Sequence, residues 1–540
     1  MPEPADLVIT GADVFSVDPA RRWAEAIAIW GDRIVAVGTE AEVREAVAGG
    51  GEHLHLPGRM VVPGFQDAHI HAAFGARNLL NVNLDVVHDR DAYLSRIRDF
   101  AEANPDLPWI VGGGWYSPVF GDDGPRASDL DAVVPDRPVF LLNTDVHAGW
   151  VNTKTLELAG ITADTPDPFD GFFVRDPDGS PTGCLQEGTA YTVLREVVPA
   201  TSVEDWKTCL RRAQQHLATF GITAWQDAWV EPDLLTAYRE LDDAGELAVR
   251  VVTSLWWDRH EGIEQVEGLL EGRERGTGGR VNARTVKIML DGCPESATAA
   301  MLDPYEGAYG EAHGTGLAFV DAEMLREAVV RLDAEGFQIH QHALGDRAIR
   351  MALDAVAAAR VANGMNDHRH HIAHLQLPDP AEIPRLRELG VAANMQPYWS
   401  QPDPAVQTLT RPRVGARAER LYPIGSLRGS GAVVAFGSDW PVSTPNVLHE
   451  LHVAVNRTPV GSPDVEPLHA DQRIDLVAAL AAFTRGSAYV NHDDEAGMLA
   501  PGMRADLAVL DRNLFDRSLG EIADASVEMT IASGSVVFGA

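Results

Sequence analysis

Two histidines, His69 and His71, end the run Val61-Val62-Pro63-Gly64-Phe65-Gln66-Asp67-Ala68-His69-Ile70-His71. Alternate side chains of a β-strand share a face, so Asp67 and both imidazoles are expected on one side, with the imidazoles about 7 Å apart. Two imidazoles so placed can bind a single divalent cation. Because the chain has 19 histidines, such a pair also arises without function. A metal site therefore requires further ligands from elsewhere in the chain.

Residue types that bind metals or move protons recur at the ends of later apolar runs. They are Lys287, His340, His342, His370, His371, His374 and Asp439. Each has a structural explanation when taken alone: a histidine can be hydrogen-bonded in the core, a lysine can pair with a buried carboxylate, and an aspartate can cap a helix. Their recurrence at the same end of several predicted strands favours a metal centre.

Lys287 lies inside the apolar run Thr285-Val286-Lys287-Ile288-Met289-Leu290. Burial disfavours the ammonium form and shifts the side chain toward a neutral amine. A neutral amine can take up CO₂ to form a carbamate, an anionic oxygen ligand able to bridge two divalent cations. The competing use is a Schiff-base lysine, which has no need of the surrounding histidines.

Eight apolar runs that alternate with helical segments predict the strands holding these residues. They are residues 65–71, 221–227, 249–256, 284–290, 336–342, 369–375, 391–396 and 432–438. Ser202 and Asp321 are predicted helix caps, and Arg347 to Val361 reads as an unbroken helix. The alternation is typical of a (β/α)₈ TIM barrel, whose chemistry lies at the C-terminal ends of its strands.

The two chain ends contain short hairpin-like apolar runs, and neither end is large enough for its own core. We therefore expect residues 1–62 and 491–540 to form one small β-sandwich domain together. Residues 63–490 are predicted to form the barrel. The stretch 72–210 is too long for one strand-to-helix connection, so it is predicted to be an insertion after the first strand, covering the mouth.

Composition excludes several classes of partner. The formal net charge of −35 argues against nucleic acid and against anionic membranes. Three separated cysteines, Cys184, Cys209 and Cys293, form neither a disulfide framework nor a zinc motif. The first residues are acidic, unlike a signal peptide, and no apolar run is long enough to span a bilayer. We expect a cytoplasmic, soluble protein with a small-molecule substrate, and a homo-oligomer, with a dimer as the working assumption.

Several motifs in order along the chain resemble the amidohydrolase superfamily, in the YtcJ-like branch (amidohydrolase family 3) that includes N-substituted formamide deformylase. Besides residues 63–71, the motifs are Asp145-Val146-His147-Ala148-Gly149-Trp150-Val151-Asn152, Val286-Lys287 with Asp291-Gly292, His342-Ala343-Leu344-Gly345-Asp346, Asn394-Met395-Gln396-Pro397, Gly437-Ser438-Asp439-Trp440-Pro441 and residues 497–507. The resemblance covers nearly the whole chain.

The resemblance implies a site with one or two divalent ions, Zn²⁺ being the expected metal. His69 and His71 would bind one ion, an N-carboxylated Lys287 would bridge, and His342 and His374 would bind the second. Asp439 would be both a ligand and the general base. His342 is preferred over His340 because it begins the His-Ala-Leu-Gly-Asp motif; His370 and His371 are interpreted as structural.

The implied reaction is hydrolysis of a non-peptide carbon–nitrogen bond, in an N-acyl or N-formyl amide. Water activated as hydroxide on the metal attacks the carbonyl, while Asp439 takes a proton and returns it to the leaving amine. One alternative is a deaminase, which resembles a pattern with Glu where Gly345 stands. Others are a lactone or ester hydrolase and a non-enzymatic scaffold, for which loss of ligands is expected.

Aromatic residues near the predicted barrel mouth suggest an apolar or aromatic substituent on the substrate. Trp399 and Trp440 follow the seventh and eighth strands, while Trp115, His147 and Trp150 lie in the insertion. Glu187 and Gln396 complete the predicted substrate-binding set. The alternative is that the indoles only pack the insertion onto the barrel.

Overall fold

A parallel eight-stranded barrel forms the centre of the computed structural model, which describes residues 4–49, 51–462 and 464–539. Each strand pairs in parallel with the next along the chain. The predicted (β/α)₈ fold class is confirmed. The strands are β1 (Phe65–Ile70), β2 (Ile222–Val230), β3 (Arg250–Trp256), β4 (Val281–Met289), β5 (Gln338–Ala343), β6 (His371–His374), β7 (Ala392–Met395) and β8 (Val434–Phe436).

The barrel closes through the residues that follow its short last strand. The backbone N–H of Asp439 donates to the carbonyl of His69 at 2.7 Å, and the N–H of His71 donates to the carbonyl of Trp440 at 2.9 Å. The buried carboxylate of Asp67 accepts from the N–H groups of Ser438 at 3.1 Å and His69 at 3.0 Å. Asp67 thus fixes the loop that carries Asp439 to the strand that carries the histidine pair.

Helices alternate with the barrel strands. Ser202 and Asp321 cap two of them as predicted, each side chain accepting a backbone N–H of the first turn. Among the described residues, no helix has the length and apolar character that crossing a membrane requires. The helices after the insertion are Val203–Ala218, Pro232–Asp243, Val266–Gly276, Gly307–His313, Ala322–Ala334, Asp346–Asn363, Ile383–Leu389, Arg411–Val414, Ile424–Gly429, Val447–Asn456, Leu476–Ala481 and Ser487–Val490.

The two chain ends contribute strands to one further sheet of eight strands. Met60–Pro63, which leads directly into β1, pairs antiparallel with Leu507–Leu510 from the C-terminal end. Apolar side chains from both ends form a common core beside this sheet. The remaining strands are Leu7–Phe15, Trp23–Trp30, Arg33–Gly38, Glu52–His55, Val527–Ala532 and Ser535–Phe538, and the helix Glu40–Ala46 lies between the third and fourth.

A six-stranded sheet follows β1, within the predicted insertion. It has its own apolar core, in which Tyr93, Trp115 and Trp150 are buried. Its strands are Val82–Asn83, Ile110–Trp115, Val139–Asn143, Ala148–Val151, Gly171–Arg175 and Pro181–Glu187. Its helices are Ala72–Leu80, Arg90–Ala103, Ala127–Asp131, Thr153–Ala159 and Gly188–Glu196.

Arg250, at the start of β3, connects the barrel to the sheet formed by the chain ends. Its Nε donates to Asp493 Oδ2 at 2.6 Å, and its guanidinium also contacts the carboxylate of Asp506, which is 2% exposed. Arg250→Met is expected to destabilise the protein by about 3 kcal/mol, because it leaves buried carboxylates without their cation. Thermal unfolding at fixed scan rate measures the change.

The matched control for this substitution is Arg211→Met. Arg211 pairs with Glu246, and both side chains are about 40% exposed, so the loss should be below about 1 kcal/mol. Equal falls in melting temperature for the two variants would contradict a stabilising role of Arg250.

Candidate active site

His69, His71 and Asp439 meet at the C-terminal end of the barrel. Oδ1 of Asp439 lies 3.2 Å from Nε2 of His69 and 3.1 Å from Nε2 of His71. Asp439 has a φ of 55°, a left-handed conformation that turns the chain back toward β1.

The orientation of His69 is set from inside the barrel. Its Nδ1 lies 2.8 Å from Nε2 of His340, whose Nδ1 lies 3.2 Å from the hydroxyl of Ser254. Burial lowers the pKa of His69 to about 3, so the ring is neutral at physiological pH. In the tautomer that donates Nδ1–H to His340, Nε2 carries the lone pair that faces Asp439.

The polar atoms where His69 and Asp439 approach each other are buried and lack hydrogen-bond partners among the described residues. Among the described residues, neither Nε2 of His69 nor Oδ1 of Asp439 makes a hydrogen bond, although the two atoms are adjacent. Two acceptor atoms face each other here, and unpaired buried acceptors cost free energy. A divalent cation would satisfy both. Ligand atoms of His69, His374 and Asp439 also lie within 4.8 Å of one another. The residues present therefore fit a metal ion.

Lys287, on β4, faces the same cavity and is 3% exposed. None of the described residues makes a hydrogen bond or an ion pair with its amine. Burial lowers the pKa of Lys287 to about 7, against the opposing effect of the Asp439 charge. A substantial fraction of the amine is then neutral at physiological pH, which is the form that reacts with CO₂.

His342 and His374 complete the predicted metal-binding set. Their ring centroids are 4.6 Å apart, and both rings line the cavity. Nδ1 of His374 donates to Oε1 of Gln396 at 2.9 Å, which leaves Nε2 as its lone-pair atom. Asp291, 3.4 Å from Nδ1 of His342, accepts backbone N–H groups from Ala300, Leu344 and Gly345 and so supports the end of β5. All six predicted metal-binding side chains line one cavity.

The cavity has a volume of about 760 Å³ and a largely aromatic wall. Trp399 stacks on His374 with centroids 5.0 Å apart and an interplanar angle of 8°. Trp440 lines the opening as predicted. Trp229 and Trp256, whose stacked rings have centroids 4.3 Å apart, also line the cavity. Neither was predicted from the sequence.

His147 reaches this cavity from the insertion. Its Nδ1 lies 2.8 Å from Oε2 of Glu187, and Thr298 donates to the other carboxylate oxygen. Burial opposes protonation of His147, but the charge of Glu187 outweighs it and raises the pKa of His147 to about 9. The ring is 5.5 Å from that of His342. His147 is therefore a cationic donor, with Nε2 remaining for a ligand.

Several predicted roles require correction. The indole N–H groups of Trp115 and Trp150 donate to the carbonyls of Leu141 at 2.9 Å and Arg126 at 2.8 Å, inside the insertion core. Neither side chain lines the cavity, because both face the interior of the insertion sheet. Glu187 and Gln396 are not among the residues that line the cavity; they hydrogen-bond to His147 and His374, which do line it.

The histidines interpreted as structural lie away from the cavity. His370 accepts the N–H of Ile339 through Nδ1 at 3.0 Å and contacts Asp333 through Nε2 at 2.8 Å. His371 lies in the barrel interior against His340, with ring centroids 4.1 Å apart. His340 itself supports His69, which agrees with the preference for His342 as the cavity residue.

Among known protein families, the Amidohydrolase family matches residues 54–538 of this chain. Protein LONG AFTER FAR-RED 3 of Arabidopsis thaliana is 30% identical, over 99% of this chain and 92% of its own. N-substituted formamide deformylase of Arthrobacter pascens is 29% identical, over 99% and 98%. The crystal structure of an uncharacterized metal-dependent hydrolase from Pyrococcus horikoshii has a TM-score of 0.75 and 25% identity, covering 95% of this chain and 99% of that one.

Proposed function

We propose that this chain, which belongs to the amidohydrolase family, hydrolyses a non-peptide carbon–nitrogen bond in a small N-acyl or N-formyl amide with the help of a divalent metal ion. The observation that carries the proposal is the close approach of the buried Asp439 carboxylate to Nε2 of His69, which has no hydrogen-bond partner among the described residues. The similarity to a formamide deformylase over nearly both chains supports the choice of bond.

The residues that would hold the metal are six side chains that line this cavity. They are His69, His71, Lys287, His342, His374 and Asp439. Zn²⁺ suits this set because imidazole nitrogen and carboxylate oxygen are its ordinary ligands. When bound, such an ion polarises a carbonyl group and makes water more acidic. We further propose that Lys287 is N-carboxylated, since its amine is buried and lacks a partner.

Asp439 is the proposed proton carrier. In its ionised form the carboxylate accepts a proton from the water that attacks the substrate carbonyl. The same carboxyl then delivers that proton to the nitrogen of the leaving amine. The products are a carboxylic acid, which releases its proton to water, and an amine, and Asp439 is regenerated in its ionised form.

His147 is proposed to bind the carbonyl oxygen of the substrate. Glu187 occupies its Nδ1 and keeps the ring protonated, so Nε2–H is available as a charged donor. Negative charge grows on the carbonyl oxygen as water attacks, and a preorganised donor stabilises that charge. Trp399 and Trp440 form part of the aromatic wall, which suits an apolar portion of the substrate.

A deaminase reaction fits the site less well. That reaction needs a carboxylic acid where Gly345 stands, to protonate the ring nitrogen of the substrate. A Cβ at Gly345 would lie 2.1 Å from the carbonyl oxygen of Ala300, so the backbone leaves no space for a side chain. The support for deamination on this scaffold is therefore weak.

The test is metal analysis of the purified protein followed by a substrate screen. N-formyl amines, N-acyl amines, cyclic amides, lactones and an amidine-containing ring would be compared with metal-loaded and chelator-treated enzyme. We expect hydrolysis of amides that is lost on chelation and restored by Zn²⁺. Ammonia release from the amidine ring, ester cleavage without amide cleavage, or a metal-loaded protein inactive on every substrate would each contradict the proposal.

A further inference from the structure

Acidic side chains other than Asp439 also line the cavity. Asp145 comes from the insertion, Glu295 follows β4, and Asp403 lies in the segment after β7; all three line the cavity. Of the described residues that line it, Lys287 is the only lysine or arginine. No described arginine or lysine forms an ion pair with Asp145, Glu295 or Asp403. Glu295 and Asp403 thus lack a cationic partner among the described residues, whereas Asp145 accepts the backbone N–H of His147, the cationic residue described above.

Glu295 is the centre of this group. Its Oε1 accepts hydrogen bonds from Gln376 Nε2 at 2.9 Å and from the hydroxyl of Thr410. Asp403 accepts from the N–H of Val406 at 2.8 Å and from the hydroxyl of Tyr116 at 3.3 Å. Burial raises the pKa of Asp403 to about 6, and the charge of Glu295 adds to this effect. The carboxylates are near enough to repel one another.

Gln376 supplies an independent indication of a ligand. Its side chain is 1% exposed and lines the cavity. A carboxylate only accepts hydrogen bonds, so the amide nitrogen must be the atom that faces Glu295, which fixes the orientation of the amide. That nitrogen also donates to the hydroxyl of Tyr422 at 2.8 Å, whereas Oε1 has no hydrogen-bond partner among the described residues. The buried amide oxygen of Gln376 is therefore an acceptor that lacks a donor, on a side chain that also contacts the carboxylate of Glu295.

We infer that Glu295, Asp403 and Gln376 form a subsite for an alkylammonium group, so that the preferred substrate is an amide with a protonated amine at its far end. An ammonium group has three N–H donors. The acceptors available here include the carboxylates of Glu295 and Asp403, neither of which has a cationic partner among the described residues. Aromatic side chains of the same wall, Tyr116 and Tyr422 among them, suit an organic cation better than a hydrated metal ion. A substrate with a carboxylate at that end is disfavoured. The inference rests on the proposed function, because it concerns the same cavity.

Binding is measured first, by isothermal titration calorimetry of metal-loaded protein with hexylammonium and with 1-hexanol. Loss of a hydrogen bond between charged groups corresponds to about a 10- to 100-fold change in Kd. We expect hexylammonium to bind at least about 10-fold more tightly than 1-hexanol. Glu295→Gln should bring the two affinities close together, and Asp403→Asn, a second near-isosteric variant, should reduce the difference in the same direction.

The matched control is Glu388→Gln, which removes one negative charge from an exposed position outside the cavity. It should retain the preference for hexylammonium. Equal binding of the two probes by the unmodified protein, or an unchanged preference in Glu295→Gln, would overturn the inference. So would Ca²⁺ binding that depends on Glu295 in a protein that does not bind hexylammonium, since the site would then be an inorganic cation site.

Kinetics separate this inference from the proposed function. The N-formyl derivative of pentane-1,5-diamine is compared with N-formylhexylamine, which replaces the ammonium by a methyl group. We expect kcat/KM to be about 10- to 100-fold higher for the cationic amide, and the ratio to fall toward one in Glu295→Gln. Hydrolysis without preference contradicts the subsite alone. Hexylammonium binding without hydrolysis of either amide contradicts the proposed function alone.

Discussion

Asp439→Asn is expected to lower kcat/KM by about 10²- to 10⁴-fold, the usual contribution of a general acid–base group. The amide of asparagine cannot accept a proton from water, nor deliver one to the leaving nitrogen. The loss should appear in kcat, because proton transfer belongs to the chemical step. Steady-state kinetics on an amide from the substrate screen, together with the metal content of each protein, measure the effect.

Metal loss has to be separated from loss of the base. Assays of Asp439→Asn with excess Zn²⁺ restore any fraction lost through weaker binding, and the remaining defect belongs to proton transfer. Asp333→Asn is the matched control, because Asp333 is a buried carboxylate hydrogen-bonded to His370, away from the cavity. Its folded enzyme should keep kcat near the unmodified value. A metal-loaded Asp439→Asn enzyme with unchanged kcat would rule out Asp439 as the base.

Lys287→Ala is expected to lose most of the bound metal and to lower activity by on the order of 10³-fold, since an ion contributes several kcal/mol to the transition state. The reason is the loss of an anionic oxygen ligand. Acetate or propionate, entering the vacated volume, should restore part of the metal content and activity. Lys287→Arg should remain inactive, because a guanidinium stays charged and does not form a carbamate.

The carbamate itself can be observed directly. The chain contains three lysines, Lys154, Lys207 and Lys287, so ¹³C NMR of protein equilibrated with ¹³CO₂ gives a signal that the Lys287→Ala variant should lack. Lys154→Ala, at a partly exposed position on the insertion, should retain metal, activity and signal. An unmodified Lys287 ammonium in a fully metal-loaded, active enzyme would show that the bridging assignment is mistaken.

The barrel could be predicted because its signals are local and regular. Each predicted strand lies within about three residues of an observed one, as the comparison of 65–71 with Phe65–Ile70 illustrates. The candidate metal-binding residues could be predicted for the same reason. His69, Lys287, His342 and His374 sit at or next to strand ends, and a parallel barrel places all such ends at one face.

The cavity wall could not be predicted in this way. Asp403 and Asp145 lie in irregular segments and Glu295 in a single 3₁₀ turn (Pro294–Ser296), so no period relates their sequence positions to the direction of their side chains. Trp115 and Trp150 were predicted to belong to the substrate-binding set because they lie in the insertion. The insertion has its own core, and both side chains are buried in it. The Asp291-Gly292 pair was visible in the sequence, whereas the three backbone groups that its carboxylate binds depend on the folded loops.

The pairing of Met60–Pro63 with Leu507–Leu510 has a consequence for how the protein is made. The strand that leads into the barrel leaves the ribosome long before its partner exists. At about 5–20 residues per second, the roughly 445 intervening residues take about 20–90 s to synthesise. Throughout that time the strand has an unpaired edge of N–H and C=O groups, which can pair with other chains. Completion of the sheet must therefore follow translation of the barrel, and until the C-terminal strand arrives the open edge is a place where the new chain can pair wrongly.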